Sequence, residues 1–272
     1  MLGFRDFITA FRKLEVDHAR PVIVHACLSS FGEVHGGAQT ILGSLCSSFD
    51  TLIMPVFTYK TMITPEVGPP DNAIQYGSGR LTNRLAEFFQ ADMRADREMG
   101  VVAESLRTYP GAIRSTHPIL SFAGLHASPI LEAQSIREPL LPIQKLLERD
   151  GWVLLLGVGQ TVNTSIHYAE QLAGRKQFMR WALTTRGVIP CQGFSGCSDG
   201  FAEIAPRLEE AVHQQELGEA VIQAIPVAHL VQAVCELLQE NPTALLCERE
   251  DCERCRAIRQ SVAEGERTSS NS

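Results

Sequence analysis

Residues 151–174, GWVLLLGVGQTVNTSIHYAEQLAG, decide the fold class of this chain. Their first part, WVLLLGVG at 152–159, is a continuous apolar run of strand length, typical of a strand buried on both faces. Asn163 or Thr164 then predicts the start of a helix, and Gly174 predicts its end. A buried strand that enters a glycine loop and then a capped helix indicates an α/β unit.

The same alternation continues on both sides of this unit. Upstream, PVIVHACLSS at 21–30 and TLIMPVFTY at 51–59 predict two more strands, with a helix in the glycine-led segment at 36–49 between them. Further helices are predicted in LTNRLAEFFQA at 81–91, in MGVVAESLRTYPG at 99–111 and, strongly amphipathic, at 226–240. We therefore predict an α/β fold with three layers, in which helices cover both faces of a central mixed, mostly parallel sheet.

The chain is predicted to form a single domain over residues 1–262, with a cysteine-rich subregion at 247–255. The last residues are small, polar and charged, so they cannot bury enough apolar surface to order themselves. We expect a disordered tail at 263–272.

The composition supports one large core and argues against two classes of partner. The chain has 272 residues, 44% of them hydrophobic, and a formal net charge of -7. Nucleic acids and anionic membranes recruit clustered Lys and Arg, so neither is expected to bind. The N-terminus lacks the apolar core of a signal peptide, and no apolar run approaches the roughly 20 residues of a membrane span. The sequence predicts a cytoplasmic protein.

His167 and Glu170 are the candidate catalytic pair. They lie three residues apart at the start of the predicted helix, so their side chains share one helix face. A helix N-terminus lowers the proton affinity of an imidazole and a neighbouring carboxylate raises it, a balance that suits a general base. The same spacing also fits a histidine that packs in the core while the glutamate faces water.

The segment around this pair resembles a known family. NTSIHYAE at 163–170 is similar to the N-T-S-[apolar]-H-[apolar or Tyr]-A-E segment of the aminoglycoside 3-N-acetyltransferase family, which is distinct from the common GNAT acetyltransferases. Four other segments agree with that family in order: VIVHACLSSFGEVHGGAQT at 22–40, LIMPVFTY at 52–59, MGVVAESLRTYPGAIRSTHPILSFAGL at 99–125 and VLLLGVG at 153–159. Several separated motifs in the right order are more specific than any one of them.

The resemblance implies an acetyl-CoA-dependent transfer to an amine, with His167 as the base and Glu170 as its partner. It also implies that backbone amides at the end of the first strand and the start of the next helix hold acetyl-CoA, together with the RSTHP segment. The cofactor-binding residues implied in this way are His25, Ala26, Cys27, Leu28, Ser29, Gly36, Gly37, Ala38, Thr40, Arg114, Ser115 and His117.

The implied acceptor is a small cationic molecule, as in antibiotic resistance enzymes that acetylate aminoglycosides. The family binds polyamine sugars through acidic residues in a cleft, and the candidates here are Glu66, Asp71, Asp96 and Glu104. The region 60–79 departs from the pattern of the resistance enzymes, so the acceptor stays open between an aminoglycoside and another amine. The oligomeric state is also open, with a homodimer as one candidate.

One departure from the family raises two alternatives. The family has two serines after the first histidine, where this sequence has Ala26 and Cys27. Cys27 could take the acetyl group as a nucleophile, or could be a small structural thiol. The change also fits a catalytically degenerate module that binds CoA or a small ligand and is stabilised by a metal.

The cysteines near the C-terminus form a candidate metal site. Cys247, Cys252 and Cys255 are closely spaced, and either Cys197 or Cys191 could supply a fourth ligand. Four thiolates suit a closed, structural zinc site. The spacing also resembles part of an iron–sulfur pattern, and surface thiols without metal are a third interpretation.

Overall fold

The computed structural model of the protein describes residues 1–270, with side chains described as far as Glu264. Within these residues the chain forms ten strands and eight α-helices. The strands are β1 Val22–Ala26, β2 Leu52–Pro55, β3 Met62–Ile63, β4 Ile113–Arg114, β5 Phe122–Leu125, β6 Trp152–Leu156, β7 Met179–Thr184, β8 Gly187–Gln192, β9 His213–Leu217 and β10 Ala220–Pro226. The helices are α1 Phe4–Lys13, α2 Gly37–Ser48, α3 Gly100–Arg107, α4 Ser128–Leu131, α5 Leu141–Leu147, α6 Thr164–Leu172, α7 Val227–Glu240 and α8 Glu253–Ser270.

Seven strands form the main sheet in the order β4-β5-β2-β1-β6-β10-β9. The apolar strands β1 and β6 lie at its centre, in a register that pairs Val22 with Trp152 and Ala26 with Leu156. Strands β2, β1 and β6 are parallel, and the strands outside them pair in antiparallel fashion. The predicted mixed α/β sheet is therefore confirmed, with parallel pairing limited to its three central strands.

Helices cover both faces of the sheet and make two separate cores. Side chains alternate along β1, so Val22 and Val24 meet the helices on one face while Ile23 meets those on the other. The first face is packed by α1, α2 and α3, and the second by α4, α5, α6 and α7. The three-layer arrangement is confirmed, and it leaves the site-bearing loops at the end of the central strands.

A three-stranded sheet in the order β3-β7-β8 lies beside the main sheet. The predicted helix at 81–91 is wrong, because only a 3₁₀ turn at Thr82–Leu85 forms there. Its apolar side chains Leu81, Leu85 and Phe88 are exposed. A helix of this length depends on packing its apolar face, and the described part of the chain offers this one no partner surface.

The C-terminal helix α8 docks on the body through Cys255 and Ile258, which pack against Phe178 and Leu246. Helix α8 continues to Ser270, so residues 263–270 of the predicted disordered tail are helical, while 271–272 lie outside the described residues. Because the docked first turns already nucleate this helix, each added residue gains a backbone hydrogen bond without a new nucleation cost. None of the helices described for residues 1–270 is both long enough and apolar enough to cross a membrane.

Candidate active site

The candidate site begins where β6 ends. Gly157 has a φ of 67° there, and a Cβ on it would approach the Ser30 Cβ to 2.7 Å, so the tight turn needs glycine. A short 3₁₀ turn follows, and the Asn163 side chain then accepts a hydrogen bond from the Ser165 amide at 3.1 Å. This is the predicted helix cap, and it fixes His167 in the first turns of α6.

His167 and Glu170 are in direct contact. Nδ1 of His167 lies 2.7 Å from Oε2 of Glu170, and both residues are buried, at 5% and 0% exposed. An ionised carboxylate can only accept, so Nδ1 is the donor in this contact. His167 lines a cavity, and Nε2 is the ring nitrogen that this contact leaves free.

Two further donors hold the Glu170 carboxylate. Arg175 donates to its Oε1 at 2.6 Å, and Ser195 donates to its Oε2 at 2.5 Å. Burial by itself would raise the pKa of Glu170, but the hydrogen bonds and charges of His167, Arg175 and Ser195 lower it below its usual value. The carboxylate therefore stays ionised next to the imidazole.

Aromatic rings fix the imidazole from the other sides. The Phe194 ring stacks on His167 with a centroid distance of 4.1 Å and an interplanar angle of 9°. Phe201 meets the same imidazole edge-on at 4.7 Å. Such packing limits the imidazole to one orientation, which is what a positioned base requires.

The His167 ring faces a cavity of about 810 Å³. Its wall combines the end of β1, the start of α3 and the loop that leads into α6. The lining residues are Val24, His25, Ala26, Cys27, Leu28, Ser29, Gly32, Pro55, Phe57, Tyr59, Arg97, Glu98, Met99, Gly100, Val101, Ala103, Val158, Thr161, Val162, Asn163, Thr164, His167, Phe194 and Ser198. A cleft of this size at the carboxyl end of parallel strands is the usual ligand site of an α/β protein.

The structure brings only part of the predicted cofactor set to this cavity. The run 25–29 lines it together with His167, and Nε2 of the buried His25 has no hydrogen-bond partner within the described chain. The second predicted group, Gly36, Gly37, Ala38 and Thr40, lies outside the cavity wall. Gly36 and Gly37 adopt positive φ angles at the start of α2, which explains these glycines without a ligand.

The RSTHP segment serves the backbone instead of the cavity. Arg114 donates to the carbonyls of Val56 and Met93. The His117 Nδ1 accepts from the amides of Ile119 and Leu120 at 3.2 and 2.9 Å. The Ser115 hydroxyl accepts from the Phe122 amide at 2.8 Å, so all three predicted cofactor contacts are engaged in local structure.

The four predicted acceptor-binding acids do not line the cavity either. Glu66 and Asp71 are exposed on the loop that follows β3. Asp96 accepts from the Lys60 amide at 3.2 Å. Glu104 is paired with Arg107 at 2.8 Å, so its charge is already compensated.

Several polar side chains of the cavity wall were not predicted as site residues. Tyr59, Arg97 and Glu98 line it, and among the described residues Glu98 is its one carboxylate. The segment REMG at 97–100 could have indicated them, because its glycine is the first residue of α3 and lies against the end of β1. A Cβ on Gly100 would lie 3.0 Å from the Ala26 carbonyl oxygen, so this glycine sets the closeness of the two walls.

A cluster of four cysteines lies outside the cavity wall. The thiols of Cys197, Cys247, Cys252 and Cys255 are all buried and lie within 4.8 Å of one another. Of the two alternatives for the fourth member, the structure places Cys197 in the cluster, while Cys191 sits in β8. The described cysteines are all free thiols.

The sequence matches the model of a known family. Residues 23–239 match "Aminoglycoside 3-N-acetyltransferase", a span that includes β1, the cavity and α6. The chain is 34% identical over 163 residues to aminoglycoside N(3)-acetyltransferase IX of Micromonospora chalcea, which covers 56% of each protein. It is 27% identical over 224 residues to aminoglycoside N(3)-acetyltransferase III of Salmonella sp, covering 72% of this chain and 76% of that one.

The fold is also similar to solved structures. The apoenzyme of aminoglycoside acetyltransferase AAC(3)-IVa superposes with a TM-score of 0.77 at 24% identity, over 96% of this chain and 98% of that one. The sequence match spans only about half the length of the Micromonospora relative, at 56%. The family match itself covers most of this chain. The chain belongs to the aminoglycoside 3-N-acetyltransferase family.

Proposed function

We propose that the protein transfers the acetyl group of acetyl-CoA to an amino group of a small cationic molecule. The observation that carries the proposal is the His167–Glu170 contact of 2.7 Å at the wall of a cavity of about 810 Å³. Acyl transfer from a thioester to an ammonium compound needs a base that removes the amine proton, and this pair supplies one. Acetyl-CoA is a co-substrate in this reaction.

In the proposed mechanism, His167 acts on the amine through Nε2. The amine nitrogen attacks the thioester carbon while Nε2 takes up its proton, and CoA leaves as a thiolate as the C–S bond breaks. The imidazolium then gives this proton to the thiolate, which restores the base. Glu170 accepts from Nδ1 throughout, which stabilises the imidazolium that forms. The run His25–Ser29 lies across the same cavity and is the proposed contact surface for the cofactor.

The names of relatives support both substrates. The solved binary complex of AAC-IIIb with CoASH superposes with a TM-score of 0.71. A histidine-to-alanine mutant of AAC(3)-IVa was solved in complex with apramycin. By this similarity an aminoglycoside is the first acceptor to test here, and another polyamine is the second.

Glu98 is the proposed acceptor-binding carboxylate. It is exposed in the 3₁₀ turn Arg97–Met99 just before α3 and lines the same cavity as His167, whereas the four acids first suggested by the resemblance do not. A carboxylate at the mouth of the cavity would attract an ammonium group and orient it toward the base.

The test is to give the purified chain acetyl-CoA with a panel of aminoglycosides and simple polyamines, and to follow both CoA release and the acetylated product by mass spectrometry. An acetylated amine is the expected product. CoA binding without turnover of any amine would instead identify the catalytically degenerate ligand-binding module.

Cys27 favours a second candidate, transfer through an acetyl-cysteine. Its Sγ lies 3.2 Å from the Ser29 Oγ at the wall of the same cavity, and hydrogen bonds with Ser29 and Ser30 lower the pKa of the thiol. In this mechanism the thiolate would displace CoA first, and the amine would then attack the new thioester. Intact mass after mixing with acetyl-CoA alone tests this, since only this candidate predicts an acetylated protein.

We also propose a structural zinc ion held by Cys197, Cys247, Cys252 and Cys255. Zinc–thiolate bonds of about 2.3 Å in a tetrahedron place the sulfur atoms about 3.8 Å apart, and the four thiols here lie within 4.8 Å of one another. Four thiolates close the coordination shell, so the ion would have a structural role. An iron–sulfur cluster would insert several irons and sulfides between the thiolates and needs more room.

Elemental analysis tests the metal, with one zinc per chain expected after purification without chelators. Zinc would be replaced by Co²⁺ to give the absorption of a tetrahedral thiolate site. A purified protein that contains no zinc, or that contains iron instead, would contradict this part of the proposal. We also propose a cytoplasmic location, because free thiols persist in reducing compartments and the described cysteines are free.

A further inference from the structure

The cysteine cluster and the candidate active site share two chain segments. One is GFSGCSDG at 193–200, which contains Cys197, and the other is PTALLC at 242–247, which ends at Cys247. Neither segment belongs to a helix or a strand, and only the first residue of 193–200 is tied to the β7–β8 pair, by the hydrogen bond from the Gly193 amide to the Phe178 carbonyl. The residues within them that touch Glu170, His167 and Arg175 are therefore only as well placed as the segments themselves.

The first segment holds His167 and Glu170 from one side. Phe194 stacks on the imidazole at 4.1 Å, and the next residue, Ser195, donates to Glu170 at 2.5 Å. Cys197 follows two residues later. A shift of this loop by about one ångström would disrupt both the Phe194–His167 stacking and the Ser195–Glu170 hydrogen bond.

The second segment holds the pair through Arg175. The guanidinium donates to Oε1 of Glu170 at 2.6 Å and to the carbonyls of Pro242 and Ala244 at 2.7 Å each. Ala244 lies three residues before Cys247. The guanidinium and the carboxylate are both buried, so the position of this backbone determines where they meet.

The two segments are in close contact with each other at the cluster. A Cβ on Gly200 would lie 2.6 Å from the Leu245 carbonyl oxygen, and the Leu245 amide donates to the Glu203 carboxylate at 2.8 Å. The thiols of Cys197 and Cys247 belong to the four that lie within 4.8 Å. Coordination of one ion by these thiolates would lock the two segments together.

We propose that zinc bound by the four thiolates positions the His167–Glu170 pair, with Ser195 and Arg175 as the positioning residues that connect the two sites. This inference rests on the proposed acetyl transfer and the proposed zinc site. The cysteines lie outside the cavity wall, so zinc touches neither substrate and acts on turnover only through the geometry of Glu170 and His167. A displaced base slows the transfer step more than it weakens CoA binding.

The test compares Cys255→Ser with Cys235→Ser, a half-buried cysteine of α7 outside the cluster. For each variant, zinc content, kcat, the Kd of CoA and hydrogen exchange of residues 193–200 and 242–247 are measured. Cys255→Ser is expected to lose zinc, to speed exchange in both segments and to lower kcat about 10- to 100-fold, with the Kd of CoA changed less than about threefold. Cys235→Ser is expected to match the wild type in all four.

A double-mutant cycle shows whether the effect passes through Ser195. Ser195→Ala should keep its zinc and still lower kcat, and combining it with Cys255→Ser should lower kcat by less than the product of the two single losses. Loss of zinc with unchanged kcat and unchanged exchange would overturn the inference. So would fully multiplicative losses, or a wild-type chain that contains no zinc.

If Cys255→Ser does not fold, the wild type is depleted of zinc with a chelator and reloaded with ZnCl₂. The exchange protection of residues 193–200 and the kcat are then expected to return in proportion to the bound zinc. A zinc-depleted chain that keeps full kcat and full protection would refute the coupling. If no amine is acetylated by the wild type, the proposed function fails by itself. The zinc content and the hydrogen exchange still decide the structural part.

Discussion

Arg175 donates a hydrogen bond of 2.6 Å to Glu170 behind His167, and neither partner's side chain is open to water, at 3% and 0% exposed. A buried ion pair contributes little net stability as a pair, yet breaking it by removing one partner leaves an uncompensated charge. This pair therefore fixes the ionised form of the carboxylate that supports the imidazole.

Arg175→Met is expected to destabilise the protein by about 3–5 kcal/mol, because the Glu170 carboxylate would stay buried without its cation. The double variant Arg175→Met with Glu170→Gln should regain part of that loss, since the uncompensated charge is then gone. Urea unfolding of the three proteins checks the order of stability. Equal stability of the wild type and Arg175→Met would contradict the buried ion pair.

Stability should fall in mild acid because of two buried, neutral histidines. Burial lowers the pKa of His25 to about 3 and that of His117 to about 4. A histidine whose pKa is lowered by folding does not weaken the folded state above its unfolded pKa near 6.5. As the pH falls from that value toward the folded pKa, the unfolded chain binds the proton more readily, and the free energy of unfolding decreases. Each histidine is expected to cost roughly 2 kcal/mol at pH 5.

The check is the free energy of unfolding at pH 7.5 and pH 5 for the wild type, His25→Gln and the exposed control His229→Gln. His25→Gln should reduce the loss of unfolding free energy between pH 7.5 and pH 5 by the amount expected for one buried histidine. His229→Gln should leave this loss unchanged. The same pH dependence in all three proteins would show that His25 is not held neutral by the fold.

Cys27→Ser is expected to keep kcat within about threefold of the wild type, because direct attack of the amine needs no protein nucleophile. Serine preserves a small polar group beside Ser29 and matches the residue type that the family has there. Steady-state turnover and intact mass after mixing with acetyl-CoA are the measurements. Abolished turnover together with an acetylated wild-type chain would establish the cysteine route.

Glu98→Gln is expected to raise the KM of the amine without changing the KM of acetyl-CoA, since the lost charge faces a cation. An effect of about 2- to 5-fold corresponds to a solvent-screened charge pair of about 0.4–1 kcal/mol. Glu66→Gln is the matched control, because Glu66 is exposed and does not line the cavity. Equal effects of the two changes would show that overall charge, and not Glu98, attracts the acceptor.

The sequence was sufficient to predict the elements whose signals are local. The apolar run at 152–156 and the cap at Asn163 predict β6 and α6, and both are confirmed. Helix formation at 81–91 could not be judged in this way, because its periodic apolar residues look the same whether or not a partner surface exists. Within residues 1–270, no surface is positioned to receive Leu81, Leu85 and Phe88.

The surroundings of the site could be predicted only in part. The contact between His167 and Glu170 follows from a three-residue spacing on one helix. The contact of Ser195 with Glu170 spans 25 positions and depends on a loop without regular structure, so no local pattern signals it. Arg114 and His117 stand in a recognisable motif, yet Nη2 of Arg114 and Nδ1 of His117 bond to backbone groups, and a motif alone does not distinguish these roles.

The most direct test of the catalytic role of His167 is the kcat of His167→Ala, measured with the best amine of the panel, beside the Kd of CoA for the same preparation. His229→Ala, a change on the exposed side of α7, is the control. Removal of the base is predicted to lower kcat by about 10²- to 10⁴-fold while the Kd of CoA changes less than about threefold. Turnover of His167→Ala at the rate of His229→Ala would contradict the account.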